Sequence, residues 1–371
     1  MATEQRGSAR KFTTNTLMAI NAEGSFVDLD GAVRHFGRQA FVALAADLDR
    51  CFVCGAASHE SNRSDFNDEH VIPDWVLRRF ALHSRRITLP NGREFMYGRY
   101  TLRCCVRCNS LLAAEIETPI SKVLSGTSDE VLAKLRESDP ALLYKWLCLL
   151  FIKCHLKDRE IRINPDTRVE SEKLGELYDW DGLHHIHSVA RSPQSRATID
   201  SSVLGTTLVF PMQDSKEPFD FGNLSDYSTI ALRIGSVGIA CVFNDCRGVE
   251  HLVSEYFSGI TGPLSSIQLR EVAARLAYGN TLMANRPKFW SELHRGDLTI
   301  RSLPANPWPI PETDHTELGN ILVGACGSLL RNSHTPDVEN KIHKLGRGEI
   351  QFLYHDDGSF ISNSEEEIEQ D

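Results

Sequence analysis

The pattern of apolar and polar positions predicts helices alternating with short strands. Apolar residues recur at helical spacing over 31–50, 128–158 and 265–284. Pro140 divides the second stretch into two helices, and Ser138 or Asp139 is available to cap the second of them. Alternating and β-branched residues predict strands over 197–210 and 229–243. Gly235 and Gly238 interrupt the second of these stretches, which suits a hairpin.

These elements suggest four segments. They are an N-terminal lead with an amphipathic helix (1–45), a cysteine- and arginine-rich module (46–125), a mixed helical and β domain (126–350) and an acidic tail (351–371). The prolines from Pro304 to Pro311 predict an extended linker or a wrapped arm. From His355 onward the chain has seven acidic residues and no Lys or Arg, so we expect the tail to be solvated and disordered.

Composition excludes some functional classes. The chain has 371 residues and a formal net charge of −10, which argues against a protein that binds polyanions over its whole surface. With 41% hydrophobic and 24% charged residues, a soluble globular protein is expected. No apolar run reaches the roughly 18 residues of a membrane span, and the polar N-terminus shows no secretory signal. We therefore expect a cytoplasmic protein with no membrane partner.

Cysteine spacing is the most specific pattern in the chain. Five of the ten cysteines lie between Cys51 and Cys108. Four of these five form two Cys-x-x-Cys pairs, Cys51/Cys54 and Cys105/Cys108, which can supply the four thiolates of a closed, structural Zn²⁺ site. Cys104 is an alternative to Cys105, although the two-residue spacing favours Cys105. The simpler alternative is a set of separate buried or reactive thiols.

A second candidate site lies between the two cysteine pairs. Glu69 and His70 lie at the end of a short predicted strand, directly before Val71 and Ile72, and Pro73 closes it. An imidazole can take a proton from water near neutral pH, and a carboxylate can bind a hard divalent cation. Asn109, directly after the last cysteine, could add a second oxygen ligand, or it could simply cap the following helix. Taken without its context, a histidine beside a glutamate is more often a surface pair.

Taken together, these residues resemble the HNH endonucleases, the ββα-metal nucleases, and more narrowly their zinc-containing four-cysteine branch. The resemblance covers about 65 residues. It implies an α+β fold, with a zinc-braced, treble-clef-like ββα module followed by a larger mixed α/β domain. It also implies that His70 is the general base and that Glu69 and Asn109 bind Mg²⁺ or another divalent cation. Cleavage would then leave 5′-phosphate and 3′-hydroxyl ends.

Two features depart from the family pattern. The middle Asn that often precedes the second cysteine pair is missing, and the nearest candidate, Asn91, lies fourteen residues before Cys105. The usual Gly-Gly after the first strand is replaced by Asp74-Trp75-Val76-Leu77, which predicts a helix. These departures bear on how His70 is held in place more than on its identity as the base.

Local charge supports a nucleic-acid partner, with DNA as the first expectation. Between Trp75 and Cys108 the chain has eight arginines, no lysine and one acidic residue, a local net charge of +7. Arginine forks suit phosphate oxygens, whereas nothing here predicts a helix that reads bases. The candidate phosphate-binding residues are Arg78, Arg79, Arg85, Arg86, Arg103 and Arg107.

Weaker candidates and rival functions remain. His184, His185 and His187 could bind a transition metal if they lay on a strand, but an exposed polar turn is the preferred interpretation. One rival function is a non-catalytic zinc module that binds nucleic acid. A second places the main function in residues 126–350, through which the chain could form a homo-oligomer or bind a partner protein. By analogy with other attached HNH modules, bacterial or phage DNA processing or defence is the expected context.

Overall fold

The computed structural model describes residues 18–58, 65–306, 314–332 and 337–362, a mixture of helices and strands. The strands are β1 (Met18–Ile20), β2 (Phe26–Asp28), β3 (Val33–His35), β4 (Phe66–His70), β5 (Arg86–Thr88), β6 (Glu94–Met96), β7 (Thr101–Cys105), β8 (Thr198–Ile199), β9 (Thr207–Pro211), β10 (Phe219–Leu224), β11 (Thr229–Ile234), β12 (Val237–Val242), β13 (Lys288–His294) and β14 (Asp297–Leu303). The helices are α1 (Arg38–Ala46), α2 (Asp74–Arg79), α3 (Val106–Leu112), α4 (Thr118–Val123), α5 (Ser128–Glu137), α6 (Pro140–Asp158), α7 (Leu174–Leu177), α8 (Trp180–Ala190), α9 (Ser192–Ser195), α10 (Gly248–Phe257), α11 (Ser266–Thr281), α12 (His315–Asn332) and α13 (Val338–Gly346).

The N-terminal segment differs from the single helix predicted over 31–50. Strands β1, β2 and β3 form a small sheet, and helix α1 follows it. Gly31 has φ +79° in the turn between β2 and β3, a conformation that glycine adopts without strain. The Asp28 carboxylate accepts the Ala32 backbone N–H at 2.9 Å and so favours this turn over a helix. The helical prediction over 31–50 was therefore correct only for Arg38–Ala46.

The cysteine-rich module contains two paired strands and a helix. Strand β4 pairs antiparallel with β7, in a register that places His70 opposite Thr101 and Phe66 opposite Cys105. Helix α3 begins at Val106, directly after β7. The connection between the strands is long and contains helix α2 and the hairpin β5–β6. The order is therefore strand, insertion, strand and helix.

A four-stranded antiparallel sheet in the order β10–β11–β12–β9 lies at the centre of the larger segment. Helix α6 packs on one face, where the ring of Phe151 stacks on Phe243 with 4.3 Å between centroids. Helix α11 covers the other face through Leu269 and Val272. The predicted hairpin is confirmed as β11–β12, with Gly235 at φ +60° in its turn. Because helices cover both faces, every residue of β11 and β12 lies inside.

Local capping explains where the predicted helices begin. Helix α5 starts with a capping box in which Thr127 and Glu130 bond to each other's backbone N–H. Helix α6 begins at Pro140, and the Asp139 carboxylate accepts a backbone N–H of its first turn at 2.9 Å. A capping box at Ser265 likewise starts α11. The division of 128–158 at its proline and the helix after Ser265 are therefore confirmed.

Helix α6 connects the cysteine-rich module to the sheet. Its Trp146 and Phe151 belong to the same hydrophobic cluster as Ile72 of the module and Ile239 of the sheet. The helix is buried on nearly all sides, and this burial includes the side chain of Lys153. None of the helices in the described residues combines the length and the apolar composition needed to cross a membrane.

The predicted acidic tail is partly folded. Residues 351–362 pack against helix α11, with Leu353 fully buried. The Gln268 amide donates to the backbone carbonyls of Phe352 and Ile361 at 2.8 and 2.7 Å. The apolar residues within the segment supply the burial that acidic composition alone does not predict. Residues 363–371, which include five of the seven acids, lie outside the described residues, as do Pro307, Pro309 and Pro311.

The three-histidine segment is the buried helix α8, so the predicted exposed turn is wrong. His184 and His187 each place Nε2 2.8 Å from a backbone carbonyl oxygen, and His185 does so at 3.1 Å. His185 also stacks on Phe289 with 3.7 Å between centroids. Burial lowers the pKa of His185 to about 4, so this imidazole is neutral near pH 7. The three histidines make the segment look polar in sequence. Its burial could not be predicted locally, because the hydrogen-bond partner of each ring lies at a distant point of the chain.

Candidate metal centre and catalytic site

The four cysteines of the two Cys-x-x-Cys pairs come together. The Sγ atoms of Cys51, Cys54, Cys105 and Cys108 all lie within 4.8 Å of one another, and none of these cysteines is in a disulfide. Cys54 and Cys105 have their sulfurs 3.8 Å apart. Sulfur atoms about 2.3 Å from one tetrahedral zinc lie about 3.8 Å apart. This spacing and the all-thiol donor set fit a structural zinc ion.

Local backbone geometry supports both cysteine pairs. The Gly55 N–H donates to the Cys51 carbonyl at 2.8 Å, and Gly55 has φ +77°. The ring of Phe36 lies 3.0 Å from where a Cβ at Gly55 would stand, so a side chain here would be strained and crowded. At the second pair, the Cys108 N–H points to the Cys105 sulfur at 3.4 Å. Such N–H donors help to stabilise thiolate charge.

The structure favours Cys105 over Cys104 in this group. Adjacent residues of a strand point to opposite faces, so β7 directs the two thiols apart. Cys105 joins the group with Cys108, whereas Cys104 is fully buried with its sulfur 3.9 Å from that of Cys51. Cys104 is therefore a neighbour of the cluster on its interior side.

A buried arginine complements the charge of the cysteine cluster. Arg191, at the end of α8, is 1% exposed, and its guanidinium lies over the Phe36 ring at 4.3 Å. Burial lowers the pKa of Arg191 to about 10, while the thiolates of Cys108, Cys54 and Cys51 oppose that shift. Its Nε and Nη1 atoms have no hydrogen-bond partner among the described residues. Four thiolates around one Zn²⁺ have a net charge of about −2, which would stabilise such a buried cation.

Glu69 and His70 point to opposite faces of strand β4. Glu69 is 8% exposed and faces the interior, where its carboxylate accepts a hydrogen bond from Lys153 Nζ at 2.8 Å. His70 is half-buried on the other face. Alternation along a strand separates adjacent side chains in this way. The carboxylate of Glu69 therefore neutralises an interior ammonium group, and the imidazole of His70 is free of that contact.

Lys153 joins two carboxylates and the backbone next to His70. Its fully buried Nζ donates to Glu69 at 2.8 Å, to the His70 carbonyl oxygen at 2.8 Å and to Glu117 at 3.2 Å. Burial alone would lower the pKa of Lys153, but the charges of Glu69 and Glu117 more than compensate and raise it. Burial raises the pKa of Glu117, although Lys153 opposes the shift. The ammonium group thus fixes the strand end that presents His70.

The imidazole of His70 belongs to a second cluster. Ligand atoms of His70, Asp74 and His83 lie within 4.8 Å of one another. Asp74 Oδ1 is 3.0 Å from His83 Nε2, and the rings of His70 and His83 meet edge to face with 5.9 Å between centroids. Asp74 and His83 are both partly exposed, with 36% and 45% of their side chains accessible. Solvent and an external ligand can therefore reach this cluster.

Asn109 lies where the sequence placed it, on the first turn of helix α3, and it is half-buried. Its backbone carbonyl accepts the N–H of Ala113, as expected in a continuous helix. The sequence predicted that Asn109 and Glu69 bind the same metal ion. For Asn109 this remains a prediction. The Glu69 carboxylate already forms an ion pair with the ammonium group of Lys153.

The candidate phosphate-binding arginines are exposed, but several already have partners. Arg78, Arg85 and Arg86 each lie 2.7 Å from a carboxylate oxygen, of Asp74, Glu217 and Glu94 respectively. Arg79 donates to the Leu124 carbonyl oxygen at 2.7 Å and lies over the Phe80 ring at 5.2 Å. Arg103 lies over the Phe66 ring at 5.7 Å, and Arg107 is exposed on α3. Exposed ion pairs contribute only about 0–1 kcal/mol, so phosphate groups can compete for these guanidinium groups.

The sequence analysis did not identify Asp74, His83 or Lys153 as site residues. Asp74 was noted only as part of a helix, and His83 lies nine residues further along the chain, a spacing that matches no motif. Lys153 comes from α6, 84 residues after Glu69. The available signal was that Lys153 directly follows the apolar run 146–152 of α6, because a lysine buried with such a run requires a charged partner.

Comparison with known proteins found no match for this chain among protein-family profiles, curated proteins or solved structures.

Proposed function

We propose that this protein is a metal-dependent endonuclease of the HNH type that hydrolyses nucleic acid, with DNA as the first substrate to test. The observation that carries the proposal is the position of His70. It ends the first strand of a strand–strand–helix unit closed by four clustered cysteines, and its ring lies beside Asp74 and His83. A general base must be reachable from solvent and held in place by a rigid backbone, here the end of strand β4.

The proposed reaction is the attack of water on a phosphodiester. The water oxygen forms a bond to phosphorus, the bond from phosphorus to the 3′ oxygen breaks, and His70 accepts the proton that water loses. The leaving 3′ oxygen takes a proton from solvent, so the products are a 5′-phosphate and a 3′-hydroxyl. A divalent cation, when bound, would stabilise the negative charge that develops on the phosphate and the leaving oxygen.

Replacement of His70 tests this role. We expect His70→Ala to lower the cleavage rate of plasmid, single-stranded DNA or RNA by about 10²–10⁴-fold, because a positioned base contributes about that much. The assay uses the full chain with Mg²⁺, Mn²⁺ or Ni²⁺. His294→Ala, which removes an exposed histidine at the end of β13, is the matched control and should cleave like the wild type.

Zinc content and nucleic-acid affinity separate catalysis from folding. Both should persist in His70→Ala if the residue acts in the chemical step. If the wild type binds nucleic acid but cleaves none of these substrates with any of the three metals, the enzyme proposal fails. The protein would then be a non-catalytic zinc module that binds nucleic acid. A His70→Ala variant with full activity would remove His70 from the mechanism.

The candidate phosphate-binding arginines form what we call the arginine face (Arg78, Arg79, Arg85, Arg86, Arg103 and Arg107). Its role is tested through the salt dependence of nucleic-acid binding. Each phosphate contact contributes about −0.9 to the slope of log affinity against log salt concentration on duplex DNA. We expect the double variant Arg103→Gln/Arg107→Gln to make this slope shallower by about 1–2. The measurement is fluorescence anisotropy over a salt series. Arg347→Gln, at an exposed arginine paired with Glu349, should leave the slope unchanged, and equal slopes in all three proteins would exclude this face.

A further inference from the structure

We infer that the divalent cation of this site is held by Asp74 and His83, and that the Lys153 ammonium group replaces a metal ion at Glu69. This inference rests on the proposed function for its catalytic meaning, but the binding of the ion can be measured without any cleavage assay. It differs from the ligand pair Glu69 and Asn109 that the sequence predicts.

The interior position beside Glu69 is already filled by a cation. Lys153 Nζ lies 2.8 Å from the Glu69 carboxylate and 3.2 Å from that of Glu117, so one ammonium group bridges an acid of the strand and an acid that follows α3. The ammonium group is completely buried. A divalent ion at Glu69 would stand beside this positive charge in a medium of low dielectric constant, where repulsion is strong. Glu69 is therefore a poor metal ligand in this chain.

The geometry of Asp74 and His83 suits an ion. Two ligand atoms about 2.1 Å from one metal ion and at right angles lie about 3.0 Å apart. Asp74 Oδ1 and His83 Nε2 are 3.0 Å apart, so an ion can bind both without a change in their separation, once each side chain turns towards it. The second carboxylate oxygen, Oδ2, lies 2.7 Å from Arg78 Nε, which orients the carboxylate and leaves Oδ1 for the ion.

The backbone around these ligands is well supported. The His83 carbonyl accepts the Gly98 N–H at 3.1 Å, and a Cβ at Gly98 would come within 2.7 Å of that carbonyl oxygen. The close packing of these two segments therefore requires glycine. Asp74 begins helix α2 directly after Pro73, and its neighbours Val76 and Leu77 are buried. Ligands on supported backbone lose little conformational entropy when an ion binds.

His70 lies beside this pair without having to ligate the ion. One ligand atom of His70 lies within 4.8 Å of a ligand atom of Asp74 and of His83. In the proposed site a water molecule of the ion lies next to the imidazole. This arrangement keeps His70 available as the base. One imidazole and one carboxylate favour a transition ion such as Mn²⁺ or Ni²⁺ over Mg²⁺, which prefers oxygen ligands alone.

Binding of Mn²⁺ tests the assignment, because Mn²⁺ has little preference for the thiolates of the cysteine cluster. Full-length zinc-loaded protein is titrated with Mn²⁺, and free Mn²⁺ is measured by electron paramagnetic resonance. We expect one bound Mn²⁺ per chain, with affinity at least 10-fold lower in Asp74→Asn and in His83→Ala. Glu69→Gln, His70→Ala and the surface control His294→Ala should bind Mn²⁺ within about 3-fold of the wild type.

The outcomes separate the ion site from the proposed function. Wild-type affinity in Asp74→Asn and His83→Ala would overturn the site even if the protein cleaves DNA. In variants that keep the zinc content and circular dichroism of the wild type, a loss in Glu69→Gln or His70→Ala as large as that in His83→Ala would also overturn the assignment, because it would make that residue a ligand. If the two ligand variants lose Mn²⁺ but the wild type cleaves nothing, the ion site stands and the nuclease proposal fails.

Discussion

Removal of zinc from the four-cysteine cluster is expected to unfold the cysteine-rich module and to lower the melting temperature of the whole chain. Structural zinc contributes about 10–16 kcal/mol in zinc-finger peptides, which matches or exceeds the usual net stability of a domain of about 5–15 kcal/mol. Phe52 and Val53, between the first two cysteines, belong to the hydrophobic cluster that reaches helix α6. Loss of the ion should therefore also loosen the packing of α6. Thermal melts by circular dichroism, with and without a strong chelator under reducing conditions, measure the effect.

Single cysteine variants identify the ligands. Elemental analysis should give about one zinc per chain in the wild type and in Cys104→Ser, but much less in Cys105→Ser, since Cys105 is the thiol grouped with Cys51, Cys54 and Cys108. Cys326→Ser, at a buried thiol on α12, controls for the general cost of placing a hydroxyl group inside the protein. Zinc retained in Cys105→Ser and lost in Cys104→Ser would exchange their roles, and a zinc-free wild type would contradict the structural zinc altogether.

Much of the cysteine site could be predicted because its chemistry depends on short spacing. A Cys-x-x-Cys pair brings two thiols onto one ion by local geometry. The only tertiary contact that had to be inferred was therefore the meeting of the two pairs. The meeting is produced by the pairing of β4 with β7 and the start of α3 immediately after Cys105. The choice between Cys104 and Cys105 followed from the same spacing and agrees with the alternation of side chains along β7.

The surroundings of His70 could not be predicted in the same way. Glu69 and His70 are neighbours in sequence, but strand alternation points them in opposite directions. What each meets there depends on distant chain: Lys153 approaches Glu69 from α6, and the turn after α2 brings His83 to Asp74. The buried histidines of α8 illustrate the same limit, since the partner of His187 Nε2 is the Phe52 carbonyl oxygen, 135 residues away. Local patterns predict elements and spacing, whereas buried polar partners are set by tertiary contacts.

Replacement of Lys153 by methionine is expected to destabilise the protein by about 3–5 kcal/mol. Removing one partner of a buried ion pair leaves uncompensated charge inside, and this cost exceeds the net contribution of the intact pair. Lys153→Met would leave the Glu69 and Glu117 carboxylates without their shared cation and the His70 carbonyl without its donor. Denaturant unfolding at pH 7 measures the loss. Lys145→Met, on the same helix at a side chain 24% exposed and 3.9 Å from Asp139, should change stability by less than about 0.5 kcal/mol.

The pH dependence of this variant distinguishes lost charge compensation from lost packing. Burial already raises the pKa of Glu117, and without the positive charge of Lys153 that pKa rises further. The folded variant then binds more protons than its unfolded chain, so its stability should recover as the pH falls from 7 towards the unfolded pKa of about 4.3. The triple variant Lys153→Met/Glu69→Gln/Glu117→Gln, with both acids neutralised, should regain most of the stability at pH 7. A deficit that is the same at every pH, and that the two glutamines do not relieve, would show that Lys153 matters through its packing rather than through its charge.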